Sequence, residues 1–361
     1  MMTKEKILVK KFGGTSVGST ERIQNIAKRL VSTRKNGEKM VVVVSAMGNT
    51  TNELVKLSKE ISNNPSPREY DALVSTGENI SAALLSMSLI EMGQQAISLT
   101  GAQAGIFTED LHSKAKILKV KTERIKKELD KGNIVIITGF QGINPQSDTT
   151  TIGRGGSDTS AVVLAAALGS DTCDIYTDVD GVYTTDPRKV NSAQKLKEVS
   201  YEEMLEMASL GATVLHPRAV ECAKHNQIEL HVRSSFNTNE GTFVREAKKL
   251  EVNKPVTGIA VNANEAIISL IGVPDQPGIA GNIFSKLAEN GINVDMIVQN
   301  VESNSNNNIS FSILEDDINS AEDIVVNKLS NLNIAAVKTE ASIAKVSCVG
   351  VGMITKPGIA A

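Results

Sequence analysis

The chain has 361 residues, 41% of them hydrophobic and 22% charged, which is enough for two or three domains with real cores. Its formal net charge of −3 leaves no basic surplus for a nucleic-acid partner, and Arg124–Lys127 is flanked by Glu123 and Glu128 as on a solvated helix face. Aromatic residues make up only 3%, with no Trp, so the core must be mostly aliphatic.

Ile7–Lys10 reads as a short strand ending in Lys11-Phe12-Gly13-Gly14-Thr15-Ser16, and a helix with Ile23, Ile26, Ala27 and Leu30 on one face follows. Met40–Val44 is a β-branched run, as in a strand buried on both faces. A polar turn, Ser45–Asn52, leads to a helix from about Glu53, and Ser75-Thr76-Gly77-Glu78 opens a helix over Ile80–Glu91. Strand Ala96–Leu99, a charged helix across Lys114–Leu129 and strand Ile134–Thr138 come next, then the glycine turn Gly139-Phe140-Gln141-Gly142.

Thr149–Gly169 is the centre of the pattern. The loop Gly153-Arg154-Gly155-Gly156-Ser157-Asp158 runs into Ala161–Leu168, an alanine- and leucine-rich segment that reads as a buried helix. Ser157 or Asp158 stands where an N-cap belongs. The open N–H groups of such a helix stabilise an anion, and glycines let the backbone approach it. Neither G-x-x-x-x-G-K-[ST] nor G-x-G-x-x-G is present, so a P-loop NTPase and a Rossmann dehydrogenase are unsupported. Strand Cys173–Thr177 ends in Thr177-Asp178-Val179-Asp180-Gly181. Ser200–Asn226 reads as helical and Leu230–Ser234 as a strand. Strand, polar loop and helix in repetition predict a parallel α/β sheet between helices, with its ligand at the carboxyl ends of the strands.

A composition change near Phe243–Asn253 marks a boundary. Beyond it, strand Ser269–Val273, helix Ile283–Asn290, strands Asn293–Gln299 and Ile309–Leu314, helix Ser320–Leu329 and strand Ile334–Lys338 make a βαββαβ, ferredoxin-like order. Ser269–Ala280 and Ser347–Ala360 are two copies of a strand followed by Pro-Gly-Ile-Ala, so residues 341–361 read as the start of a second unit cut short.

Cys173, Cys222 and Cys348 are too widely spaced for a zinc site or a disulfide framework and fit a reducing cytosol. The N-terminus lacks a signal-peptide core, and no run reaches the ~18 apolar residues of a membrane span. The histidines show no metal spacing, and no metal site is expected in the protein itself.

Lys11–Ser16 (KFGGTS), Ser75–Glu78 (STGE), Gly153–Asp158 (GRGGSD), Tyr176–Arg188 (YTDVDGVYTTDPR) and Val214–Lys224 (VLHPRAVECAK) together resemble the aspartokinase family, in order and across the whole chain. The resemblance implies an amino-acid-kinase domain (1–245), a linker and first strand (246–262), an ACT domain (263–340) and the start of a second (341–361). It implies a cytoplasmic enzyme that phosphorylates the β-carboxylate of L-aspartate with Mg-ATP, the first step toward lysine, threonine, methionine and diaminopimelate. Lysine, threonine or both are the implied effectors, and a homo-oligomer through the ACT domains the implied assembly.

By the same resemblance Lys11 and Asp158 are catalytic, the lysine against the transferring phosphoryl group and the aspartate orienting it. Lys10 serves as the structural neighbour. Thr51, Glu78, Arg154 and Ser157 bind substrate, with Arg154 on a carboxylate and Glu78 on the α-ammonium. Lys11, Phe12, Gly13, Gly14, Ser16, Thr177, Asp178, Tyr183, Asp186 and Arg188 match the nucleotide site. Asp275, Gln276, Pro277, Gly278, Ile279, Ala280, Asp295, Gln299 and Asn300 match the effector site. Thr213 departs from the lysine that many members carry there. A sister kinase acting on acetylglutamate, glutamate or uridylate, and a non-catalytic effector-binding subunit, are the alternatives. An intact Lys11 and Asp158 argue against the latter.

Overall fold

The β-branched runs form one sheet buried on both faces. In the computed structural model, which describes residues 7–35, 38–212, 214–246, 256–301, 306–329, 332 and 334–354, the first half of the chain runs β1 (Ile7–Phe12), α1 (Thr20–Thr33), β2 (Lys39–Val44), α2 (Thr50–Ile61), α3 (Pro67–Val74), α4 (Thr76–Glu91), β3 (Ala96–Leu99), β4 (Ile106–Thr108), β5 (Ile117–Val120), α5 (Glu123–Asp130), β6 (Ile134–Thr138), β7 (Gln141–Ile143) and β8 (Thr149–Thr151). Then come α6 (Gly156–Leu168), β9 (Thr172–Thr177), β10 (Glu198–Ser200), α7 (Tyr201–Ser209), α8 (Pro217–Asn226), β11 (Glu229–Ser234) and β12 (Thr242–Arg245). The rest is β13 (Gly258–Pro274), α9 (Ile279–Glu289), β14 (Ile297–Val301), β15 (Asn306–Leu314), α10 (Ile318–Asp323) and β16 (Ala336–Val349).

Eight strands make the main sheet in the order β10-β12-β11-β9-β1-β2-β6-β3. Its pairings are parallel except β11 with β12. Alternation along the strands sends Val9, Val43, Ile137 and Ile175 to a layer with α5, α6, α7 and α8, and sends Phe12, Val42, Val44 and Ile136 to a layer with α1 and α4. Helix α1 buries the predicted stripe, Ile23, Ile26, Ala27 and Leu30. Each of its three large side chains contributes about 2 kcal/mol. Period two also separates the adjacent lysines. Lys11 follows the α6 side, while Lys10 lies among Asp174, at 3.7 Å, and the Tyr176 ring. Burial lowers the Lys10 pKa against the pull of Asp174.

Several expectations change. Ile117–Val120 is strand, not helix. Its β-branched ends suit the antiparallel pairing it makes with β4 in a second sheet ordered β5-β4-β7-β8. The predicted helix Ser200–Asn226 is two helices. The first is started by a capping box of Ser200 and Glu203, and the second by Pro217 in its first turn. Helix α3 was not expected. The run Pro67–Glu91, α3 with α4, is long and apolar enough by composition to cross a membrane, contrary to the reading that no such run exists. It is half buried in this fold, and Glu78 within it is 3% exposed, so it is a core element.

The described chain falls into two compact units, one up to Ile259 together with Cys348 onward and the other Ala260–Ser347. The second is a four-stranded sheet ordered β14-β15-β13-β16 with α9 and α10, the ferredoxin-like arrangement. The predicted fourth strand and the first strand of the repeat are one strand, β16, which passes through Ser342 at φ 57. Thr213 and the second Pro-Gly-Ile-Ala lie outside the described residues.

Candidate active site

Loops at the carboxyl ends of β1, β2 and β6 meet the start of α6 around a cavity of about 920 Å³. Lys11, Gly14, Thr51, Glu78, Arg154, Ser157 and Asp158 all line it. Motifs more than a hundred residues apart in sequence thus converge on one cleft, as parallel α/β topology requires.

Lys11 projects from β1 and its Nζ lies 2.6 Å from Asp158 Oδ1, with the two side chains only 10% and 13% exposed. Such a pair is stiff, because both groups are held by regular elements and partly withdrawn from water. Asp158 is not the helix cap. Gly155 takes that position at φ 69, which places Ser157 and Asp158 in the first turn. A side chain at 155 would collide with His216, whose Cβ lies 2.2 Å from the position of an added Cβ, and φ there is strained for an L-residue. No side chain caps α6, so its positive end stays open toward the cleft.

Glu78 enters from the first turn of α4. Its Oε1 accepts the Ala46 backbone N–H at 3.0 Å, while the buried Oε2 has no partner among the described residues. Burial raises its pKa to about 7 against the opposing effect of the Ala46 bond. The preceding Gly77 permits this approach, since an added Cβ would stand 2.8 Å from Ala46 Cβ. Arg154 is exposed on the cleft wall, and among the described residues no carboxylate pairs with it.

Other residues expected at the site lie apart from the cavity. Phe12 is fully buried, stacked on Tyr176 with centroids 4.6 Å apart, so its ring is a core group. Gly13 and Ser16 form the turn after β1, where Gly13 N–H donates to the Tyr176 carbonyl at 3.1 Å and Ser16 Oγ meets Ser235 Oγ at 2.5 Å. Thr177 ends β9 beside that turn, with Asp178 following it. Tyr183 donates its hydroxyl to Asp180 at 2.6 Å, and this bond pushes its pKa to about 12. Asp186 pairs with Arg188 at 3.0 Å.

The cleft also holds residues that the motifs did not mark as binding groups: Tyr70, Ser113, Lys114, Thr151, His216 and Arg218. Arg218 donates to the Ile152 carbonyl at 2.6 Å and the Ala115 carbonyl at 3.3 Å. Burial, then the nearby Arg218, lowers the His216 pKa. Only the His-Pro-Arg stretch signalled these two. Nothing in the sequence marked the others.

In the second unit a cavity of about 210 Å³ is lined by Asp275, Gln276, Gly278, Ile279, Ala280 and Gln299, joined by Val273, Asn307 and Ile309. Asn307 Nδ2 donates to Asp275 Oδ1 at 2.9 Å, and its buried Oδ1 has no partner among the described residues. Pro277, Asp295 and Asn300 are outside the lining. Asp295 is paired instead with Lys345.

Residues 6–234 match the amino acid kinase family and residues 268–329 match the ACT domain. The aspartokinase of Bacillus sp. (strain MGA3) is 52% identical over 355 residues, covering 98% of this chain and 86% of that protein. E. coli aspartokinase III in complex with aspartate and ADP (R-state) superposes with a TM-score of 0.79 at 27% identity, over 98% of this chain and 90% of that one. The same E. coli enzyme in complex with lysine and aspartate (T-state) gives 0.74 at 27% identity, over 96% and 87%. Two family matches in the right order, and half-identity along almost the whole length, place the chain in the amino acid kinase family and, within it, among the aspartokinases, the kinases that phosphorylate aspartate.

Proposed function

We propose that this cleft transfers the γ-phosphoryl group of ATP to the β-carboxylate of L-aspartate, with Lys11 and Asp158 as the transfer pair. A carboxylate oxygen attacks phosphorus, the bond to the bridging β,γ-oxygen breaks, and ADP and 4-phospho-L-aspartate result. The nucleophile is already ionised, so no general base is needed. The work left is positioning and charge neutralisation. Lys11 neutralises the phosphoryl oxygens, Asp158 holds Lys11, and the open end of α6 accommodates the remaining negative charge. The observation that carries this reading is the buried 2.6 Å Lys11–Asp158 pair at that helix end.

Arg154 grips the substrate α-carboxylate, the unpartnered Oε2 of Glu78 receives the α-ammonium, and Thr51 and Ser157 supply hydroxyls. The turn Gly13–Ser16 and the segment from Thr177 through Tyr183 to Arg188 hold the nucleotide. Mg²⁺ is a hard cation that keeps several waters and binds through substrate phosphates, so in this reading it is held mainly by the ATP phosphate oxygens and water. ATP turnover with hydroxylamine trapping tests the assignment. Hydroxamate that depends on L-aspartate is expected, and hydroxamate formed with glutamate or acetylglutamate but not aspartate would point to a sister kinase.

Glu78 gives a pH signature. Its pKa of about 7 means that the free site holds a proton through the acid range, whereas an ammonium ligand needs the ionised form. KM for aspartate is therefore expected to rise up to about tenfold per pH unit below 7 and to level off above it, at saturating Mg-ATP. Glu78→Gln should flatten that profile. An unchanged slope in the variant would remove Glu78 from the role.

The second unit is the feedback domain, with lysine, threonine or both as the amino-acid effectors and its cavity as their site. Asn307→Ala should raise the concentration for half-inhibition by about tenfold. An identical inhibition curve would put the effector elsewhere. Strand β14 lies at the sheet edge and exposes Ile297 and Val298, with Met296 exposed just before it. Such an edge is suited to pairing with a second copy, which is the proposed basis of a homo-oligomer. We place the domain boundaries at Ile259/Ala260 and Ser347/Cys348. The three cysteines are free, in keeping with a cytoplasmic enzyme.

A further inference from the structure

We infer that Asp71 is a positioning residue for the substrate: a buried carboxylate that holds the wall of the cleft on which Arg154 stands. Asp71 lies in α3, is 0% exposed, and is not among the residues lining the cleft. Its two oxygens accept hydrogen bonds from two other segments. Oδ2 receives the Ser113 N–H at 2.9 Å, the Thr151 N–H at 2.9 Å and His112 Nδ1 at 2.9 Å, and Oδ1 receives the Thr151 hydroxyl at 2.6 Å. Among the described residues no lysine or arginine pairs with it.

A buried carboxylate stabilises a fold poorly compared with an aliphatic group of the same volume. Its advantage is directional, since each bond fixes a donor in place. Here the donors belong to the cleft. Ser113 and Thr151 line it themselves, and Thr151 stands three residues before Arg154. Ser113 is held at φ 68, a left-handed conformation that is strained for serine and persists only where bonds impose it. Its carbonyl lies 3.0 Å from where a Cβ on Gly153 would stand, so it backs the loop directly. Arg218 holds the intervening residue, Ile152, by its carbonyl. Thr151 and Ile152 are thus pinned in succession, and the loop Gly153-Arg154 leaves from a fixed base.

This inference rests on the reading of Arg154 as the grip on the substrate carboxylate. Asp71→Asn exchanges one acceptor oxygen for an amino group that faces an N–H donor. It is expected to raise KM for aspartate by about tenfold or more and to leave KM for ATP within about twofold. Thr151→Val removes only the hydroxyl donor and should shift the same constant in the same direction by a smaller factor. A purely structural residue would lower the active fraction and leave both KM values where they are.

The pair Asp71→Asn with Arg154→Ala separates the two readings. If Asp71 acts through Arg154, the double variant has the aspartate KM of Arg154→Ala alone. If Arg154→Ala itself leaves that KM unchanged, the Arg154 reading fails first. If Arg154→Ala raises KM and Asp71→Asn and Thr151→Val do not, Asp71 is not a positioning residue. Should Asp71→Asn fail to fold, Thr151→Val decides, and an unchanged aspartate KM in that folded variant overturns the inference.

Discussion

Lys11→Ala is expected to lower kcat by about 10³-fold or more, with KM for aspartate changed far less. The ammonium lies 2.6 Å from Asp158 in a site withdrawn from water, where a fixed charge is worth much more than on the surface. Lys114 also lines the cleft, but among the described residues no carboxylate holds it as Asp158 holds Lys11. Lys10, its neighbour in sequence, faces the opposite layer and pairs with Asp174. Lys10→Ala is therefore a control, which tests stability rather than turnover. A Lys11→Ala enzyme that kept more than about a tenth of its kcat would show that α6 alone provides the charge stabilisation.

Arg154→Ala is expected to raise KM for aspartate by about 10²-fold, in the range for removing one partner of a hydrogen-bonded charge pair. Arg154→Lys should recover only part of the loss, because a lysine keeps the charge but not the planar fork. Arg154 is exposed before substrate arrives, so its stiffness comes from the loop beneath it and not from ion pairs of its own. An unchanged aspartate KM with a raised ATP KM would move Arg154 from the substrate to the nucleotide.

The buried strands were plain in the sequence. Val41–Val44 and Ile134–Thr138 are β-branched throughout, and a strand covered on both faces favours that composition. The proposed transfer pair was legible through family motifs, not through spacing, since Lys11 and Asp158 meet only because helix α6 packs against strand β1 in the fold. The helix predicted over Lys114–Leu129 failed where charge was read as helical solvation. Ile117–Val120 gains more from pairing with β4 than its flanking lysines gain from a helix. The cap of α6 was misplaced because Ser157 and Asp158 are good capping residues, and the need for a left-handed residue against His216 is a tertiary constraint. Asp71 was silent for the same reason. It sits in a charged, unremarkable stretch, and its meaning comes from Ser113 and Thr151, which are 42 and 80 residues away.

The most direct test of the account is a double-mutant cycle on Lys11→Ala and Asp158→Ala, read as kcat for aspartate-dependent hydroxamate. If the two side chains form one transfer device, the double variant is expected to be no more than a few-fold slower than Lys11→Ala alone, because Asp158 works by holding a lysine that is no longer there. Losses that multiply would contradict this, and would mean that Asp158 acts on substrate or nucleotide independently of Lys11.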